Sequence, residues 1–197
     1  MNKSKKKTGL FFGSFNPVHA GHMIIANYFV EYTDLDKVWF VVSPQSPFKV
    51  NSSLLPEYQR LELVRLAIDD DYRFRASDIE FHLEKPNYTV RTLAYLSEKY
   101  PEKDFVLLMG SDQLPYFDKW KNYETILEYY NIYVYERPGF PPENTPFAKH
   151  KSFRFVKAPL MEISSSFIRK SIKEGKDMRY MMPEKVYQYI SEMHFYE

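Results

Sequence analysis

At 197 residues, with 44% hydrophobic and 27% charged side chains, the chain has room for one efficient core and the composition of an ordinary soluble globular protein. The formal charge is +1, but Lys3, Lys5, Lys6 and Lys7 crowd the first seven residues. The rest holds 23 basic against 26 acidic residues, which excludes a polyanion-binding body and leaves 1–7 as a flexible, solvated basic tail. The lack of cysteine excludes disulfides, thiolate metal sites and a cysteine nucleophile. No apolar run suits a signal peptide or approaches the ~20 residues of a membrane span, so cytoplasm is expected, with neither membrane nor nucleic acid as partner.

The first apolar run, 8–12, ends at Gly13 and reads as a buried strand. A helix over 20–32 and a strand over 38–42, closed by Ser43-Pro44, complete a βαβ unit. Residues 56–68 read as a helix, with Leu61, Val64 and Ile68 on one stripe and Pro56 suited to the first turn. A strand over 73–81 follows, then a helix over 89–100 that turns Val90, Leu93 and Leu96 inward. Strands over 105–109, closed by Gly110, and 132–135, closed by Arg137-Pro138-Gly139, continue the alternation. The four prolines of 138–146 make a surface crossover, and 153–156 is a last strand. Helices over 165–174 and 183–193 end the chain, the second with Val186, Ile190 and Met193 on one face. This order predicts an α/β, Rossmann-like fold in a single domain over 1–197. It has a doubly wound, mostly parallel sheet, helices on both faces and a small C-terminal helical part over 160–197.

Ligands of doubly wound sheets sit at the carboxyl ends of the strands, which places the string Gly13-Ser14-Phe15-Asn16-Pro17-Val18-His19-Ala20-Gly21-His22 at the expected site. Gly13 lets backbone approach a ligand, and the helix start offers free N–H groups to phosphate. His19 and His22, three apart, are neighbours on one helical face and can donate to phosphate oxygens as charge grows in a transition state. A zinc pair would need a third ligand, and no acidic residue or histidine stands at a suitable spacing. A Walker-type loop would need Gly-Lys-Ser/Thr, which is missing.

Near the other end, Ile163-Ser164-Ser165-Ser166-Phe167-Ile168-Arg169 precedes a helix. Alone it reads equally as a serine-capped helix with an exposed Arg, or as a phosphate cradle built from hydroxyls, N–H groups and Arg169. Gly110-x-Asp112 at a strand end suits ribose hydroxyls, or else a helix cap at Asp112. Trp120 reads as core or as a stacking wall, and Tyr88 and Thr89 as packing and capping or as a turn that meets substrate.

The first string resembles the signature of the nucleotidyltransferase superfamily that carries H-x-G-H, with Ser14 and Asn16 where Thr and Asp are frequent. The serine string resembles that superfamily's second motif, about 140 residues on. His19 stands where phosphopantetheine adenylyltransferases usually have Thr, and the Arg-Thr-x-Gly-Ile-Ser-Thr-Thr string of cytidylyltransferases is missing. Pro86-Asn87-Tyr88-Thr89-Val90-Arg91-Thr92-Leu93, Met109-Gly110-Ser111-Asp112-Gln113-Leu114 with Trp120, and Glu136-Arg137-Pro138-Gly139 resemble the bacterial nicotinate mononucleotide adenylyltransferases. In one departure, Phe48 occupies the His position of their Pro-x-x-x-Pro-His-Lys loop, leaving Lys49 as the phosphate contact there.

The resemblance implies transfer of the adenylyl group of ATP to nicotinate mononucleotide, giving nicotinate adenine dinucleotide and pyrophosphate in NAD biosynthesis. His19, His22 and Arg169 would be catalytic, with ATP held by Gly13, Ser14, Phe15, Lys49, Gly110, Asp112, Ser165 and Ser166, and the acceptor by Tyr88, Thr89 and Trp120. Mg²⁺ would be held mainly by substrate phosphates, with no protein metal ligand. Nicotinamide mononucleotide or another acceptor, and a non-catalytic nucleotide sensor, are the rival readings, and self-association as a homo-oligomer is left open.

Overall fold

The computed structural model describes residues 5–44, 54–142 and 145–197. Six parallel strands form one sheet in the order β3-β2-β1-β4-β5-β6. They are β1 (Lys6–Gly13), β2 (Lys37–Val42), β3 (Phe74–Ser77), β4 (Lys103–Gly110), β5 (Asn131–Tyr135) and β6 (Phe153–Val156). The helices are α1 (Ala20–Tyr32), α2 (Glu57–Ile68), α3 (Thr89–Lys99), α4 (Tyr123–Tyr129), α5 (Ser165–Lys173) and α6 (Glu184–Glu192). The expected doubly wound fold is therefore present, and the strand order reverses between β1 and β4, where such sheets open a crevice.

Strand alternation sorts the core into two layers. Phe11, Phe40 and Leu108 face α1, α2, α5 and α6, packing with Phe29, Val64, Ile168 and Val186. Leu10, Trp39 and Leu107 face α3 and α4, packing with Leu93, Leu96 and Ile126.

Several expectations are corrected. The strand expected over 73–81 ends at Ser77, which pairs with Val41 one residue before β2, its only neighbour among the described residues, stops; Ile79–Phe81 then coil into a 3₁₀ turn. Between β4 and β5 the chain forms a 3₁₀ helix at Ser111–Lys119 and then α4, neither of which was expected. The basic tail is shorter than expected, because Lys6 and Lys7 belong to β1 and Lys7 Nζ bonds Asp34 at 2.6 Å. Met193 is 45% exposed rather than inward, since α6 ends before it and Phe195 fills the core instead.

Candidate active site

The loop leaving β1 turns sharply: Phe15 takes a left-handed conformation at φ 45°, and its ring enters the core at 2% exposure. Gly13 makes this possible, because a Cβ there would stand 2.9 Å from Phe15 Cζ. The Phe15 side chain, expected against ATP, is thus a core group that shapes the loop from behind, whereas Gly13 and the exposed Ser14 line the cleft.

His19 caps α1 and is 4% exposed. Its backbone N–H donates to His22 Nδ1 at 3.2 Å, and the two rings lie 3.7 Å apart between centroids. Gly21 leaves room for this pair, since a Cβ there would press on His19 Cε1 and Nδ1, each at 3.1 Å. His22 packs edge-on against Phe15 and Phe11 at 5.1 and 5.9 Å. Burial, and then the positive Arg137, push His19 down to about 4; burial, His19 and Arg137 hold His22 well below the ordinary imidazole range. Both rings are therefore neutral near pH 7. His19 Nδ1 is buried without a hydrogen-bond partner among the described residues, a group that needs a ligand atom to complete it.

Gly110, at the end of β4, is tight for the same kind of reason: a Cβ would collide with Asp112 Oδ1 and crowd Arg137 Cγ at 3.1 Å. Asp112 Oδ2 accepts from Gln113 Nε2 at 3.1 Å, and Oδ1 lies 4.0 Å from Arg137 Nε. Arg137 is held at its backbone by Ser111 Oγ, which accepts its N–H at 2.8 Å. It stands between Asp112 and the histidines and lines both the small pocket beside them, about 170 Å³, and the main cleft, about 1270 Å³. The cleft exceeds the ~300–1,000 Å³ usual for one small ligand.

Its far wall carries the expected acceptor residues. Tyr88 caps α3 and Thr89 begins it, so the helix start faces the cleft with N–H groups that lack intrahelical partners. The Tyr88 ring lies under Lys121 Nζ at 4.6 Å and near Arg91 at 5.7 Å. Trp120 leans on Phe117 at 5.4 Å, and Lys119 and Lys121 stand beside it in the cleft wall.

The C-terminal string is engaged differently from a free phosphate cradle. Ser164 caps α5 by accepting the Phe167 N–H at 3.2 Å, and Ser165 Oγ donates to Pro17 O at 2.9 Å. Arg169 Nη1 donates to Asn16 O at 2.7 Å, and Nη2 reaches the exposed Ser166 at 3.4 Å. Arg169 and Ser165 thus hold the signature loop in this structure, with Ser165 also lining the small pocket. Lys49 and Phe48 lie outside the described residues.

Two buried groups carried no recognisable sequence signal. Arg60, fully buried on α2, donates to the carbonyls of Ser14, Ser43, Pro44 and Leu55 at 2.6–2.9 Å, tying the loops after β1 and β2 to the start of α2. Glu80, 3% exposed, accepts from Thr92 Oγ1 at 2.8 Å, while its backbone O accepts from Asn87 Nδ2 at 2.9 Å. Burial raises its carboxyl. It braces the turn that carries Tyr88 and Thr89 into the cleft.

A model of the cytidylyltransferase-like family matches residues 10–171. A Cytophaga hutchinsonii protein named "Probable nicotinate-nucleotide adenylyltransferase" is 53% identical over 96% of this chain and 98% of its own length. A Bacteroides thetaiotaomicron protein of the same name is 50% identical over 96% and 93%. Among solved structures, the nicotinic acid mononucleotide adenylyltransferase of Plasmodium falciparum, complexed with NaAD, superposes with a TM-score of 0.83 at 20% identity and 97% coverage of both chains, a likeness of fold.

Proposed function

The chain belongs to the cytidylyltransferase-like family and, within it, to the nicotinate-nucleotide adenylyltransferases, and from that membership we propose how its cleft joins the adenylyl group of ATP to nicotinate mononucleotide. The observation that carries the reading is the continuity of one cleft, from Ser14 and Asp112 near the paired histidines to the Tyr88, Thr89 and Trp120 wall. One end offers neutral hydrogen-bond donors and Arg137 to a triphosphate. The other offers an aromatic wall, helix N–H groups and lysines to an anionic pyridine ring.

The acceptor phosphate oxygen attacks the α-phosphorus in line. A P–O bond forms to the acceptor as the bond from the α-phosphorus to the bridging oxygen breaks, and the electron pair leaves on pyrophosphate. Such a transfer is catalysed by positioning and electrostatics and needs no protein nucleophile. His22, with Nδ1 occupied by the His19 N–H, donates from Nε2 to phosphate oxygens. His19, Arg137 and Lys49 act with it on the triphosphate, and Asp112, with Gly110 behind it, accepts from ribose hydroxyls. Arg169 and Ser165 keep the loop in register and reach phosphate as it enters.

In this reading Mg²⁺ would ride on the triphosphate, since Mg²⁺ binds largely through substrate phosphates and water. Bound there, it would draw negative charge from the phosphate oxygens. No helix among the described residues is long and apolar enough to cross a membrane, and the cytoplasm, where ATP is plentiful, suits the reaction. A pyrophosphate-release assay with ATP and a panel of mononucleotides tests the reading. Release is expected with nicotinate mononucleotide above the others, and none with any acceptor would refute it.

A further inference from the structure

The chain after α6 takes a course that no sequence pattern announces. His194 and Tyr196 both sit in the left-handed region, at φ 51° and 71°, a conformation that non-glycine residues rarely hold and that persists where surrounding contacts impose it. Between them Phe195 is buried in the core, edge-on to Tyr189 at 5.8 Å. With Phe195 anchored, the Tyr196 side chain runs back to the loop after β1, and its hydroxyl donates to Asn16 Oδ1 at 2.8 Å. Burial raises the phenol further above neutrality, so the group remains a donor.

Asn16 is a junction. It is 2% exposed, its Oδ1 also accepts the Leu55 N–H at 3.2 Å, and its backbone O accepts Arg169 Nη1. Three residues later comes His19. The segment that presents Ser14 to the cleft and His19 to the small pocket is therefore held at Asn16 by groups distant in sequence, and among the described residues Tyr196 supplies a side-chain bond to it. Tyr196 itself lines neither the cleft nor the small pocket.

We propose that Tyr196 is a positioning residue for adenylyl transfer, acting through Asn16 to hold the phosphate-facing loop from Ser14 to His19 in its reactive geometry. The inference rests on the reading of the cleft given above. Displacing catalytic groups by small distances is costly in rate even when the groups themselves are intact. The Tyr196 bond is to the loop, and Tyr196 does not line the cleft that Tyr88 and Trp120 wall, so the effect is expected in ATP handling and turnover, with acceptor binding spared.

Tyr196→Phe removes one oxygen and keeps the ring. Its kcat is expected to fall about fivefold or more, the scale of one lost hydrogen bond, while the KM for nicotinate mononucleotide stays within about twofold, a split that loss of packing would not give. In a double-mutant cycle, adding Tyr196→Phe to Asn16→Ala should cost no further rate, because the two act through one bond. An unchanged kcat in folded Tyr196→Phe, or independent and additive losses in the cycle, would overturn the proposal. Amide hydrogen exchange supplies an arm free of activity: residues 14–19 should exchange faster in Tyr196→Phe than in the wild type, and equal exchange would also overturn it. Wild-type enzyme assayed alongside keeps the claims apart, since absence of pyrophosphate there fails the functional reading, whereas the exchange result still decides the role of Tyr196.

Discussion

The backbone N–H of His19 donates to Nδ1 of His22, so the start of α1 itself dictates which proton His22 can offer. A neutral ring with Nδ1 occupied as acceptor carries its proton on Nε2. His22→Ala removes that donor, and His19→Ala removes a second imidazole beside it. Each is expected to lower kcat on the order of 10²-fold or more while the fold survives, the scale of one lost transition-state donor. Near-normal kcat in both folded variants would refute the assignment.

The same burial gives the histidines a signature in stability. The unfolded chain takes up a proton on His19 near pH 6.5, but the folded one only near 4. Between these values the unfolded state binds more protons, so stability is full above pH 6.5 and declines as pH falls toward 4. One histidine accounts for a slope of up to about 1.4 kcal/mol per pH unit, and His22, also depressed, adds in the same direction. Urea denaturation at pH 7, 6 and 5 should show this slope in the wild type and a shallower one in His19→Ala. Identical slopes would mean that His19 is not held neutral.

Gly21→Ala should separate stability from activity. In a helix, Ala is favoured over Gly by about 0.5–1 kcal/mol, yet here its Cβ would press on the His19 ring at 3.1 Å. A melting temperature equal to or above the wild type is expected, with kcat down about tenfold as the ring is displaced. Full activity would show that the ring has freedom to move without consequence.

Acceptor choice is expected to lie with Tyr88, Trp120 and Lys121, which line the cleft. Trp120→Ala should raise KM for the nicotinate and nicotinamide mononucleotides alike, because stacking reads the ring and not its substituent. Lys121→Gln should raise KM for the nicotinate several-fold and leave the nicotinamide unchanged, and the effect should shrink in high salt because Lys121 is exposed. A Lys121→Gln variant with equal losses on both acceptors would contradict an electrostatic role.

Much of this architecture could be read from periodicity and punctuation. α1 occupies residues 20–32 as expected, since the signature loop and His19 mark its start. α4 escaped because it has seven residues and a single buried apolar one, Ile126, too few for a periodic signal. The strand over 73–81 was overextended because an edge strand's length is set by its neighbour's register rather than by its own composition. In the site, the sequence pattern singles out the signature loop and Tyr88, Thr89 and Trp120, and Ser14, Tyr88, Thr89 and Trp120 line one cleft. Arg60 was not, because its partners are four carbonyls scattered over three segments and leave no pattern in sequence. Gly21 did leave a cue, a glycine in a helix's first turn between two histidines, which marks the place where a side chain would strike the first ring.

The most direct test follows the phosphorus atoms. The wild-type enzyme is given nicotinate mononucleotide with ATP labelled either at the α- or the γ-phosphate, and the products are separated. Label from the α-phosphate should appear in a dinucleotide and label from the γ-phosphate in pyrophosphate, at equal rates and with no labelled protein. The account would be contradicted if α-label stayed in free adenine nucleotides while γ-label left as orthophosphate, or if neither moved when the acceptor was present.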